Sequence, residues 1–178
     1  MSPFRNRDPL ANPEELIPRI YAYAAYRLGH GPDAEDVTSE VFERALRYRK
    51  SYDRTKGEPI AWLLGIAHRC TNDVLAARST SHGEVPETEA AESVEEESVR
   101  RLSLEAAVAE LGERDQELIA LRFGADLTAA QIARVVNLQT NAVEVALHRA
   151  LERLRRILDR QGEASGEQRR AAAEPSVR

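Results

Sequence analysis

Apolar positions along the chain recur mainly at helical spacing, and the strict alternation of a half-buried strand is absent. From Pro13 to the stop at Gly29, Leu16, Ile17, Ile20, Tyr21, Ala24, Ala25 and Leu28 form one stripe behind an Asn12 N-cap. A second helix is predicted over 32–50. Acids fill its first turn and bases its last, and its apolar face is Val37, Val41, Phe42, Ala45 and Leu46. The polar stretch 51–58 reads as a loop. Pro59 then opens a third helix to 78, with Trp62, Leu63, Ile66, Ala67, Cys70, Val74 and Leu75 inward. Beyond residue 98 the pattern predicts helices at 99–111, 114–123, 128–136 and 140–160, with Gly112 and Gly124 breaking two of the joins. Thr128 caps the third of these. Val143, Leu147, Leu151, Leu154 and Leu158 mark the inner face of the fourth. A short helix, a tight turn and a longer helix with a polar start is helix-turn-helix geometry, which places its second helix in a major groove.

Composition and charge sharpen this into a domain plan. Aromatics are 5% of the 178 residues, which favours small Ala- and Leu-rich helical cores over a sheet. The net charge of −5 is localised: residues 79–98 hold seven Glu and no Lys or Arg, while 13–78 sum to zero and 99–160 to +1. The expectation is an all-α chain of two small helical bundles, 13–78 and 99–160, joined by a flexible acidic linker at 79–98 and followed by a disordered tail at 161–178. A single Cys70 excludes an internal disulfide, and four scattered histidines match no metal spacing, so no metal and no cofactor is expected. The longest apolar run has eight residues, Ile60 to Ala67, against about 20 for a bilayer span. With no apolar signal core at the N-terminus, the expectation is a cytoplasmic chain without membrane insertion. No nucleophile, metal-ligand or phosphate-loop constellation occurs, so no catalytic residue is assigned.

Two spaced segments together resemble a known family. DAEDVTSEVFERAL followed by PIAWLLGIAHRCTNDVLAAR is similar to domain 2 of the extracytoplasmic-function sigma factors of bacterial RNA polymerase, and LGERDQELIALRFGADLTAAQIARVVNLQTNAVEVALHRALERLR resembles their domain 4. The resemblance covers about residues 13–160 in order and spacing. It implies a subunit, monomeric when free, that binds core RNA polymerase and promoter DNA, melts the minus-ten element with domain 2 and recognises the minus-thirty-five element with domain 4. An anti-sigma factor partner is usual in the family.

Carried onto this chain, the resemblance implies a core polymerase face at Asp36, Ser39, Glu40 and Glu43; a solvated polar face is the plainer reading. For the minus-ten element it points to the loop residues Tyr52, Arg54 and Lys56 and to His68, Arg69, Asn72 and Arg78 on the next helix. Melting needs cations for phosphates and aromatic or amide groups to hold an extruded base. Trp62 lies on the apolar stripe and reads as core. Arg69 stands where the family has Asn, and Ala76 and Ala77 replace two frequent arginines. For the minus-thirty-five element the candidates are Gln139, Thr140, Asn141, Glu144, His148, Arg149 and Arg153, while Arg155, Arg156 and Arg160 read as solvated or paired with Glu152 and Asp159. Where the family often reads GTVKSRLHRA, this chain has NAVEVALHRA. Glu144 repels phosphates but can accept from a cytosine amino group, so either specificity is altered or affinity is reduced.

The linker fits a promoter span. Twenty extended residues reach at most ~66–72 Å, and elements about 17 base pairs apart are separated by ~58 Å of duplex. Its seven carboxylates could also mimic nucleic acid in the RNA channel, or serve only as a solubilising spacer. Two rival functions remain at this level: a sigma mimic that titrates an anti-sigma factor, and a conventional helix-turn-helix regulator. The second leaves the first bundle and its loop unexplained.

Overall fold

The structure is a computed structural model that describes residues 8–80 and 96–173. Most of the acidic linker (81–95) and the last five residues lie outside these, so the expected flexibility of the linker is not addressed by the described residues. The elements are α1 (Pro13–Leu28), α2 (Pro32–Tyr48), a 3-10 turn (Arg49–Ser51), α3 (Pro59–Thr80), α4 (Glu96–Ala109), α5 (Glu113–Ile119), α6 (Ala129–Val135) and α7 (Thr140–Ala173). The chain is all-α, and no strand occurs among the described residues.

Local chemistry accounts for most boundaries. Gly29 ends α1 at φ +86, in a region that L side chains rarely adopt, and its N–H caps the carbonyl of Ala25. Pro13, Pro32 and Pro59 each start a helix, where the missing N–H costs nothing. Thr128 and Gln131 form a reciprocal capping box at the start of α6. At its other end Asn137 takes φ +54, a conformation Asn tolerates, and the N–H of Leu138 reaches back to the carbonyl of Ala133 at 2.9 Å. That turn sets the direction of α7. Between α5 and α6 the helix widens into a π-turn over Ala120–Gly124.

Three findings depart from the sequence pattern. Leu46 and Leu151 are 58% and 40% exposed although both were expected inward; Ala45 and Leu154 are buried as expected, and Ala150 and Ile157 in α7 join them. On α1, Ile17 is exposed and Tyr23 is wholly buried, a rotation of the stripe toward a second packing partner. Finally, α7 continues to Ala173, where a disordered tail was expected from 161. The added segment is rich in Glu, Gln, Arg and Ala, and these strong helix formers offset Gly162 and Gly166.

The partner that rotates α1 is the second bundle. One continuous core joins Leu16, Ile20, Tyr23 and Leu63 of the first bundle to Leu118, Leu121, Leu127 and Ile132 of the second. A smaller core clusters Ala107, Val108 and Leu111 with Ala150, Leu154 and Ile157 around α4, α5 and α7. Helix α1 is the shared spine, packed on α2 and α3 and also on α5 and the π-turn.

Candidate nucleic-acid interface

Three polar surfaces follow from this packing. On α2, Asp36, Ser39 and Glu43 are exposed and Glu40 is half-buried. Their side chains are ordered within the helix: Glu40 accepts from the Arg44 guanidinium at 2.5 Å, Glu43 from Arg47 at 2.7 Å, and Ser39 donates to the carbonyl of Glu35. These i,i+4 pairs hold the carboxylates in one row at the surface.

The second surface is the loop between α2 and α3. The Tyr52 hydroxyl donates to the carbonyl of Gly57 at 2.9 Å, and its ring lies 5.6 Å from that of Trp62. Trp62 is half-buried against the core, as its position on the stripe implies, and forms a platform under the loop. Asp53 accepts from both the N–H and the hydroxyl of Thr55, which hold its carboxyl below the usual range. Arg54 and Lys56 are exposed at the rim. The other residues expected beside them do not join one surface. Arg69 turns back on its own helix to the carbonyl of Gly65, and Arg78 is bound to the carbonyl of Leu28 and to Asp33. His68 and Asn72 face the second bundle.

There they meet a residue that sequence reasoning missed. Glu117 of α5 is buried, accepts from the Tyr23 hydroxyl at 2.9 Å on both carboxylate oxygens, and pairs with Nε of Arg27 at 3.2 Å. Arg27 is itself buried and also donates to the carbonyl of Glu113 at 3.1 Å. His68 Nδ1 lies 3.2 Å from the same carboxylate, and the Asn72 amide nitrogen lies 3.1 Å from His68 Nε2. With Nε2 accepting from Asn72, a neutral imidazole protonated at Nδ1 satisfies both contacts. Burial first, and the Glu117 charge second, push the Tyr23 hydroxyl well above its ordinary value, so it stays a donor. A signal was present in the sequence. Arg27 falls on the apolar stripe of α1, and a charge there requires a buried partner.

The third surface is the start of α7. Gln139, Thr140, Asn141, Glu144, His148 and Arg149 are all exposed, as a recognition helix requires. Val143 and Leu147 hold the opposite face in the core. Arg153 is different. Its guanidinium forms two bonds to the Asp115 carboxylate, at 2.5 and 2.7 Å, and ties α7 to α5. His148 pairs with Glu152 at 3.6 Å. Arg156 donates to the carbonyl of Glu152 and Arg160 pairs with Glu110, rather than with Asp159. Among the described residues no cluster of three or more His, Cys, Asp or Glu could hold a metal, and no helix is long and apolar enough to cross a membrane.

A helical pair of bundles, one with a polar loop over an aromatic platform and one with an exposed recognition helix, defines the two-part architecture of a transcription initiation factor. Residues 14–80 match the family model of Sigma-70 region 2 and residues 101–154 that of Sigma-70 region 4. The chain is 32% identical over 157 residues to the ECF RNA polymerase sigma factor SigD of Mycobacterium tuberculosis, an alignment covering 80% of this chain and 73% of that one. It is 33% identical to the ECF sigma factor ShbA of Streptomyces griseus, covering 80% of this chain and 83% of that one. It is 33% identical to BldN of Streptomyces coelicolor over 78% of this chain, but spans only 56% of that protein. Among solved structures, the sigma factor RpoE in complex with the anti-sigma factor NepR from Bartonella quintana superposes with a TM-score of 0.66 at 20% identity, covering 81% of this chain and 92% of that one, a likeness of fold. The chain belongs to the extracytoplasmic-function RNA polymerase sigma factors.

Proposed function

We propose that this chain binds core RNA polymerase through the α2 face, opens the minus-ten element with the 51–58 loop, and recognises the minus-thirty-five element with the start of α7. The observation that carries the reading is that the exposed first turns of α7 and the aromatic-backed loop both lie within the two segments matched to regions 4 and 2. The Tyr52–Trp62 pair gives an extruded base a π-face, and Arg54 and Lys56 give the phosphates cations. On α7, Gln139, Thr140 and Asn141 supply hydrogen-bonding groups, and Arg149 supplies the long cationic arm. The chain then acts as a monomer when free, in the cytoplasm where the polymerase is, and it contributes no catalytic group. Nucleotidyl transfer belongs to the polymerase. An anti-sigma factor is the regulatory partner to seek, because the RpoE structure holds one.

Charge reversal on α2 tests the polymerase half. Glu40→Lys with Glu43→Lys keeps helix-forming residues at both positions but replaces two anions and breaks the pairs to Arg44 and Arg47. In a competition assay against a labelled sigma factor, the double variant is expected to bind core polymerase at least about ten-fold more weakly, a loss of about 1.4 kcal/mol. Unchanged binding with unchanged helicity would remove α2 from the interface.

A further inference from the structure

The first turns of α7 bury one side and expose the other, and one residue on the exposed side is out of place in water. Val143, Leu147 and Ala150 are buried. Val145 lies two residues from both Val143 and Leu147, so at ~100° per residue it points ~160° away from each. It is 43% exposed and belongs to neither hydrophobic core. A single exposed aliphatic residue is ordinary on a protein surface. This one stands at the centre of the face proposed to enter a major groove, where neither core packing nor helix propensity calls for a β-branched residue. We propose that Val145 is a specificity-determining residue that reads the C5-methyl group of a thymine in the minus-thirty-five element.

Its neighbours supply the rest of a reading row. Asn141 and Arg149 stand one turn before and after it, at i−4 and i+4, and both are exposed. The row is ~12 Å long at ~1.5 Å rise per residue, which spans about three and a half base-pair steps of ~3.4 Å. In chain order it offers an amide, an aliphatic group and a guanidinium. Each suits a different edge in the groove: an amide pairs with adenine, a guanidinium with guanine or a phosphate, and an aliphatic group packs on the thymine methyl. Cytosine offers an amino donor and no methyl, so Val145 gains a contact with thymine and leaves a donor unpaired with cytosine. Glu144 is adjacent in sequence but ~100° round the helix, so the two side chains address different parts of the groove.

The size of the effect distinguishes this role from a phosphate contact. One buried methyl group is worth about four-fold in affinity, and only at the position it meets. Loss of a phosphate contact weakens every sequence alike and lowers the salt dependence.

The inference rests on the minus-thirty-five reading of α7, and its test separates the two. Holoenzyme assembled from the full chain and sigma-free core polymerase selects duplexes from a promoter library randomised across the upstream element. The wild type is expected to enrich an element that contains thymine. Each enriched thymine is then replaced singly by deoxyuridine, which removes the methyl group and leaves base pairing unchanged. At one position the replacement is expected to weaken wild-type binding about four-fold. Val145→Ser should bind the thymine duplex about as weakly, and deoxyuridine should cost it nothing further. Val145→Thr, which keeps one methyl group, should retain most of the preference. An enriched element indifferent to deoxyuridine at every thymine would overturn the inference and leave the minus-thirty-five reading standing. An unchanged deoxyuridine penalty in Val145→Ser would do the same. Loss of core polymerase binding by Val145→Ser would also overturn it, by assigning the valine to a protein contact. Failure of every form to enrich any upstream element would strike both readings.

Discussion

At the scale of single residues, the contrast between Glu117 and Glu144 shows how environment assigns a carboxylate its work. Glu117 is buried, bonded to the Tyr23 hydroxyl, close to the His68 ring and ion-paired with Arg27, so removing Arg27 would leave a buried carboxylate without its counter-charge. Glu144 is exposed in the first turns of α7, the surface proposed to read the minus-thirty-five element. On that proposal, an anion beside the DNA backbone lowers affinity for all sequences, and as an acceptor it favours cytosine. Glu144→Lys is therefore expected to raise binding to non-specific duplex several-fold at low salt. It should also steepen the salt dependence by one to two phosphate equivalents, at ~0.9 per contact. Fluorescence anisotropy across a salt series reads both. A variant with the same affinity and slope as the wild type would place Glu144 away from DNA. The neighbouring Arg153 was expected to share this task, but Asp115 holds its guanidinium, which no spacing rule signals because the partner is 38 residues away.

At the scale of elements, the sequence was most legible where boundaries are chemical and least where packing decides. Gly29, Pro32, Pro59 and Thr128 mark ends that the structure keeps, since each acts through its own backbone or cap. Leu46 and Leu151 were misplaced because a helical stripe predicts a face and not the width of what covers it. The π-turn over Ala120–Gly124 was foreseen only as a break at Gly124. Helix α7 runs past residue 160 to Ala173 through a run of strong helix formers that contains two glycines. The capping box gives this scale its test. Thr128→Ala removes the hydroxyl that accepts from the Gln131 N–H, and should lower the stability of the second bundle by about 1 kcal/mol. Thermal unfolding of the full chain checks it. A Thr128→Ser variant should recover most of the loss, and an equal loss in both would assign the effect to something other than the cap.

For the whole molecule, the all-α fold class could be read from pattern and resemblance, whereas the relation between the bundles could not. A chain with an acidic linker reads as two separate bodies, because the hydrophobic pattern of each bundle is satisfied locally on paper. The structure adds the shared face of α1, where Tyr23 and Arg27 look inward to a second partner. Reconstituted run-off transcription tests the function most directly: purified chain and sigma-free core polymerase on a library of promoter fragments. Specific transcripts are expected, and they should vanish with Arg149→Ala or with alanine at Tyr52, Arg54 and Lys56. Core binding without a transcript from any fragment would contradict a promoter-specifying sigma factor.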